Sequence, residues 1–245
     1  MNDDLILLSL LIGYLAGSIN FARIITGKCA PEANLDAITI EMEDGENETL
    51  AGFGAATASM VLGPRLGITI AIFDILKVII PMLALKNIYP ADPFYLIAGF
   101  GGLLGHNWPI YYRFRGGRGM SVMLGSFLVL DWIGTPVAIF VGFVLAFVIL
   151  GVPMLAYMLW LWLMIPWAIW RLGTPEVIFT IVMNIGFLVG IIPELKTIIR
   201  LKRTKRYELY SEGLYKTSMR LRWMKEMTDR FWIFRHVIER RKKNK

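Results

Sequence analysis

One stretch of the chain gathers the groups that chemistry needs. It reads Gly105-His106-Asn107-Trp108-Pro109-Ile110-Tyr111-Tyr112-Arg113-Phe114-Arg115-Gly116-Gly117-Arg118-Gly119. Gly116, Gly117 and Gly119 carry no Cβ, so backbone N–H groups there can converge on one concavity. An apolar run starts directly after Gly119, and its helix adds a positive dipole end. Arg115 and Arg118 supply forked, permanently charged donors. These are the parts of a phosphate cradle. His106, at the end of the preceding apolar run, is a candidate proton acceptor or hydrogen-bond orienter. Two plainer readings stand beside these. Gly-rich turns are common between membrane helices, and the arginines also suit topology markers. A single His at the end of a span also suits simple packing.

Asp74 and Lys77 are three residues apart inside an apolar run, hence on one helical face. Charges at membrane depth are costly and face a polar interior. The pair either only neutralises itself between helices or anchors the loop that carries the cradle.

The elements that must position these groups are apolar. The 245 residues are 56% hydrophobic and only 18% charged, with a mean hydropathy of +0.56. Such hydrophobicity excludes disorder, and one cysteine, Cys29, excludes a disulfide scaffold. One Cys and two His make a zinc site unexpected, and no cofactor is implied. The start, Met-Asn-Asp-Asp, lacks the basic region of a signal peptide, so the first apolar run is expected to be kept.

A spanning helix takes about 20 apolar residues. The candidate segments are 5–26, 66–85, 94–112, 119–133, a stretch 136–170 broken at Gly151-Val152-Pro153, and 176–193. The expected fold is therefore all-α and polytopic, with about seven transmembrane helices. Charge sets its orientation. Residues 1–195 hold 9 Lys/Arg against 14 Asp/Glu, whereas 196–245 hold 17 against 5, so the overall +7 resides in the tail. The tail is expected in the cytoplasm and the N-terminus outside. Residues 1–200 then form a membrane domain and 201–245 a basic cytoplasmic tail. In that tail Leu214, Leu221, Met224, Phe231, Phe234 and Ile238 recur near the helical period. A basic amphipathic helix of this kind favours anionic lipid over nucleic acid as its partner. The loop from Glu32 to Glu48 is expected to be a solvated acidic connector, followed at 51–61 by a short interfacial or re-entrant helix.

At these residues the chain resembles the bacterial acyl-phosphate:glycerol-3-phosphate acyltransferases, the PlsY-like family, over about residues 10–200. The 105–119 segment is similar to that family's Gly-His-x-Phe-Pro…Phe-Lys-Gly-Gly-Lys-Gly motif, with Trp108 and arginines substituted. Gly17-Ser18-Ile19-Asn20 resembles its Gly-Ser-Ile-Pro, and Asp74-Ile75-Leu76-Lys77-Val78 its Asp-x-x-Lys-Gly. Pro193-Glu194 stands where the family has His-Arg-Glu-Asn.

The resemblance implies an enzyme of phospholipid biosynthesis in the bacterial cytoplasmic membrane. It would transfer a fatty acyl group from acyl phosphate to glycerol 3-phosphate, forming lysophosphatidate. His106 and Glu194 would be its catalytic residues. Arg115, Gly116, Gly117, Arg118 and Gly119 would bind phosphate, with Asp74, Lys77 and Ser18 in support. The family's Ser-Gly-Asn-x-Gly-Ala-Thr-Asn-x-x-Arg loop is matched only by 50–60, without the serine, the two asparagines or the arginine in register. The second reading, a catalytically degenerate homologue that binds acyl phosphate or anionic lipid as a regulator or scaffold, therefore stays open.

Overall fold

The computed structural model describes residues 2–33, 35, 38–45, 47–50 and 54–234. The chain is mostly helical. Its first apolar run is two helices, α1 (Asp3–Ser18) and α2 (Phe21–Cys29), rather than one. Asn20 causes the break. Its backbone is extended and its side chain caps α2 by accepting from the Arg23 N–H, a role short polar residues favour. The break also leaves the Ile19 carbonyl outside either helix.

After α2 the acidic segment is not a plain connector. β1 (Ile38–Glu41) and β2 (Asn47–Leu50) pair antiparallel. Ile38, Ile40 and Met42 alternate inward while Thr39 and Glu41 face out, the period of a half-buried strand. This hairpin departs from the all-α expectation. Asp36 and Glu46 of the acidic run lie outside the described residues, as do 51–53 of the expected interfacial helix. The rest of that helix is α3 (Ala55–Leu62).

α4 (Pro64–Ile88) carries Asp74 and Lys77, and α5 (Phe94–Asn107) carries His106. α6 (Met120–Leu130) follows the glycine-rich turn. α7 (Gly134–Val144) runs into a π-helical turn at Leu145–Leu150, which ends at Gly151 with φ of +67°. α8 (Pro153–Arg171) starts beyond it, so the expected break is there. α9 (Thr174–Gly190) and α10 (Ile192–Arg203) meet at a 53° bend.

Among the described residues, Asp3–Cys29 taken as one stretch and Pro64–Ile88 are long and apolar enough to cross a membrane. The α9–α10 pair makes a third if counted as one bent span. The apolar helices pack around Phe127, whose ring meets Trp160 and Phe179 edge-on at 6.1 and 6.3 Å.

Close approach of α1 and α5 holds the site end together. A Cβ on Gly13 would lie 2.0 Å from the Ala98 carbonyl oxygen, and one on Gly105 would lie 2.0 Å from that of Tyr14. Small residues of this kind let helix backbones touch in a bilayer. Gly13→Ala must push the helices apart. It is expected to cost about 1–3 kcal/mol by overpacking, read as a lowered Tm of the purified protein.

The tail forms α11 (Tyr207–Thr217) and α12 (Met219–Phe231), not one amphipathic helix, because Ser218 leaves the helix to cap α12. Leu214, Leu221 and Met224 pack with Ile38, Ile40 and Met42 of the hairpin in one buried cluster. Phe231 and Phe234 stay about half exposed, and Ile238 lies outside the described residues, as do Arg235 and 240–243. Opposite charges frame the contact. Arg200 pairs with Glu48 at 2.7 Å, Arg206 with Asp44 at 2.9 Å and Lys216 with Glu43 at 2.7 Å.

Lys216 holds the Glu43 carboxyl below its ordinary 4.5. The pairing is therefore complete above that value and lost as pH falls through the lowered one. Amide exchange across 38–50 is expected to quicken at low pH and at high salt, which screens exposed pairs. Hydrogen–deuterium exchange read by mass spectrometry checks both.

Candidate active site

The site lies where α5 ends. The Trp108 N–H closes the helix on Leu104, and the Tyr14 hydroxyl donates to the Trp108 carbonyl at 2.9 Å. The chain then turns through Arg113 and Phe114, both at positive φ (53° and 60°). It folds back so that the Gly117 N–H donates to the His106 carbonyl at 3.0 Å. The approach is too close for side chains. A Cβ on Gly116 would lie 2.1 Å from the His106 carbonyl oxygen, and one on Gly117 would lie 2.1 Å from His106 Nε2. Gly119, with φ of +82°, is the N-cap of α6. Gly116 and Gly117 thus lie against His106, and Gly119 lies against Leu103 and Asn107 at the N-terminus of α6.

His106 is 4% exposed and rests on the α4 pair. Lys77 Nζ lies 3.0 Å from His106 Nδ1, donates to the Ile19 carbonyl at 2.6 Å, and pairs with Asp74 Oδ1 at 2.8 Å. The contact with Asp74 is an ion pair three residues apart on α4. One ammonium therefore ties the α1–α2 junction to the end of α5. The Asp74–Lys77 pair reaches the loop-bearing helix as well as neutralising itself.

Arg118 Nε is paired with Glu194 Oε1 on the first turn of α10. Both side chains are partly exposed, at 29% and 28%, so the pair sits at an accessible rim. Glu194 Oε2 has no hydrogen-bond partner among the described residues. Arg115 is exposed on the turn. Ser18 is fully buried beside Gly105, and its hydroxyl donates back to the Tyr14 carbonyl at 2.8 Å. Its hydroxyl bonds within its own helix.

Two residues were missed by sequence reasoning. Asn107 is buried between Gly119 and Gly190, and neither atom of its amide has a partner among the described residues. Its place next to His106 was the available signal. Tyr210, on α11, was assigned to the tail. Burial, with the Glu194 and Glu48 carboxylates nearby, pushes its phenol up to about 12.

A profile of the family described as glycerol-3-phosphate acyltransferase matches residues 7–203. The chain belongs to the glycerol-3-phosphate acyltransferase family. A glycerol-3-phosphate acyltransferase of Shouchella clausii is 37% identical over 121 residues, 48% of this chain and 53% of the relative. Glycerol-3-phosphate acyltransferase 1 of Lactobacillus johnsonii is 32% identical over 154 residues, 62% and 69% of the two chains. For the first of these relatives the match spans about half of its length. The fold matches a crystal structure of PlsY, described as an integral membrane glycerol 3-phosphate acyltransferase in its glycerol 3-phosphate form. The TM-score is 0.64 at 20% identity, over 82% of this chain and 93% of that one. The family match stops at residue 203, so α11 and α12 lie beyond it.

Proposed function

We propose that the chain is a membrane acyltransferase that uses acyl phosphate to acylate the 1-hydroxyl of glycerol 3-phosphate. The observation that carries this reading is the fold-back of Gly116-Gly117 onto His106, with Arg118 held at the rim by Glu194, in a chain of this family. In the reaction the glycerol hydroxyl oxygen attacks the acyl carbon. The carbon–oxygen bond to phosphate breaks, and the hydroxyl proton leaves with the phosphate. Acyl phosphate is already activated, so the chain needs no covalent nucleophile.

Its residues hold and orient two anions. The turn N–H groups and the N-terminus of α6 receive phosphate and stabilise the charge that gathers on the leaving group. Arg118 leaves Glu194 to bind a phosphate through its fork. Glu194 Oε2, now without a partner among the described residues, accepts from a hydroxyl of the acceptor. His106 orients a substrate group at the turn, and Arg115 adds positive field at the mouth. Positioning of two reactants supplies much of the rate.

The reading includes seven spans in a bacterial cytoplasmic membrane, with the N-terminus outside and the C-terminus inside. The arginines of the 113–118 turn and the Lys/Arg-rich tail support that orientation. Residues 201–245 are read as a basic cytoplasmic tail that binds anionic lipid. Exposed Met219, Trp223 and Phe231 on α12, alternating with Arg222, Lys225 and Arg230, support this. Each cation near an anionic surface adds about 1 kcal/mol.

One observation favours the second reading, a homologue that binds without turnover. Residues 50–60 lack the serine, asparagines and arginine of the family's first loop in register. The test is the purified protein in lipid bilayers, given acyl phosphate and glycerol 3-phosphate, with lysophosphatidate followed by mass spectrometry. Product supports the enzyme. Saturable acyl phosphate binding without product supports the second reading.

A further inference from the structure

The contacts of Lys77 bear on which nitrogen of His106 carries its proton. An ammonium has three donors and no acceptor. The Nζ of Lys77 meets an oxygen of Ile19 at 2.6 Å, an oxygen of Asp74 at 2.8 Å and Nδ1 of His106 at 3.0 Å. Facing a donor with no lone pair, Nδ1 must accept, so the ring proton stays on Nε2. Nε2 is the atom that lies against the Gly117 backbone. Asp74 Oδ1, 2.8 Å from Nζ, supplies the counter-charge of the ammonium. Its second near neighbour is the ring itself, with His106 Nδ1 3.9 Å from Asp74 Oδ1. A buried ion pair leaves little room for a different arrangement, because removing either partner strands a charge.

We propose that Lys77 is a positioning residue that fixes His106 as the neutral Nε2–H tautomer, making the imidazole a hydrogen-bond donor toward the Gly116-Gly117 turn. Lys77 touches no substrate and acts through His106. The consequence for catalysis rests on the acyltransferase reading, whereas the tautomer does not. With that reading, the Nε2–H donates to a phosphate or acyl oxygen seated in the turn, and His106 is not a proton acceptor. The break at Asn20 belongs to the same device, because it frees the Ile19 carbonyl that takes one of the three donors.

The chain makes the test simple, since it has two histidines, His106 and His236. In a His236→Gln background, histidine labelled with ¹⁵N and ¹³C reports on His106 alone. Solid-state NMR of the protein in lipid bilayers near neutral pH is expected to show one neutral ring with the proton on Nε2 and a bare Nδ1. Lys77→Met removes the lock, and the Nδ1–H form is expected to appear. Lys77→Arg, whose guanidinium also only donates, is expected to keep the Nε2–H form. A wild-type ring protonated on Nδ1, or on both nitrogens, overturns the proposal. So does a Lys77→Met protein whose ring stays wholly in the Nε2–H form. If Lys77→Met does not fold, the wild-type spectrum still decides. An inactive wild-type protein with the Nε2–H spectrum would count against the acyltransferase reading and leave this proposal standing.

Discussion

On the proposed acyltransferase reading, Arg118→Ala is expected to lower kcat/KM for acyl transfer by about 10²- to 10³-fold, the scale for removing one preorganised donor from a site of developing charge. The effect is large because Arg118 is the cation at the rim of the glycine turn that is paired with a carboxylate of another helix. Its guanidinium already stands at the rim, and on the proposed reading an incoming phosphate takes the place of Glu194 as its anionic partner. Truncation also leaves Glu194 without its cation beside an incoming dianion, which adds repulsion to the lost attraction. Arg118→Lys keeps the charge and loses the fork. It is expected to fall between wild type and Arg118→Ala, with most of its deficit in KM for the phosphate-bearing acceptor. Steady-state kinetics with each substrate varied in turn read both variants. A normal kcat/KM in Arg118→Ala would remove the guanidinium from the site.

Gly117→Ala is expected to lower kcat by about 10²-fold, the scale of a displacement near 1 Å at a reacting group. The new methyl would lie 2.1 Å from His106 Nε2 and under 3 Å from two ring carbons. The ring cannot retreat, because it is 4% exposed and backed by Lys77. The turn must then move, and with it the N–H groups that would receive phosphate. Gly27→Ala is the control, since a Cβ there meets nothing within 4 Å. Gly117→Ala should retain a cooperative thermal transition while losing turnover, separating a displaced site from an unfolded protein.

The apolar helices were legible because a bilayer demands long apolar runs with satisfied backbones. The Gly151-Pro153 break was legible for the same reason, since Pro cannot continue a helix. The break at Asn20 was hidden by the apolar residues around it, although asparagine's preference for helix caps was there to be used. The hairpin was hidden differently. Seven acidic residues between Glu32 and Glu48 drew the reading toward solvent, while the alternation of Ile38, Ile40 and Met42 carried the strand. The acidic segment and the basic tail were read separately, one as solvated and one as lipid-bound. Their pairing, as in Arg200 with Glu48, joins residues 152 apart. Periodicity in one segment says nothing of such a partner.

Within the candidate site, the glycines of the turn and Arg118 were singled out from residue type alone. What Arg118 faces was not, since Glu194 lies 76 residues away. Nor was the reach of Lys77 to Ile19, which depends on a helix end that only the fold supplies. Spacing along one helix placed Asp74 and Lys77 on a common face, and that was as far as local geometry could go.

The central claim is that one turn receives an acyl phosphate and hands its acyl group to glycerol 3-phosphate. Its most direct measurement is stoichiometry in a single reaction, with released phosphate and lysophosphatidate followed together on the purified protein in bilayers. The account predicts one phosphate per lysophosphatidate, with phosphate release that depends on glycerol 3-phosphate. Phosphate released at the same rate without the acceptor, or acyl phosphate bound with neither product formed, would contradict it.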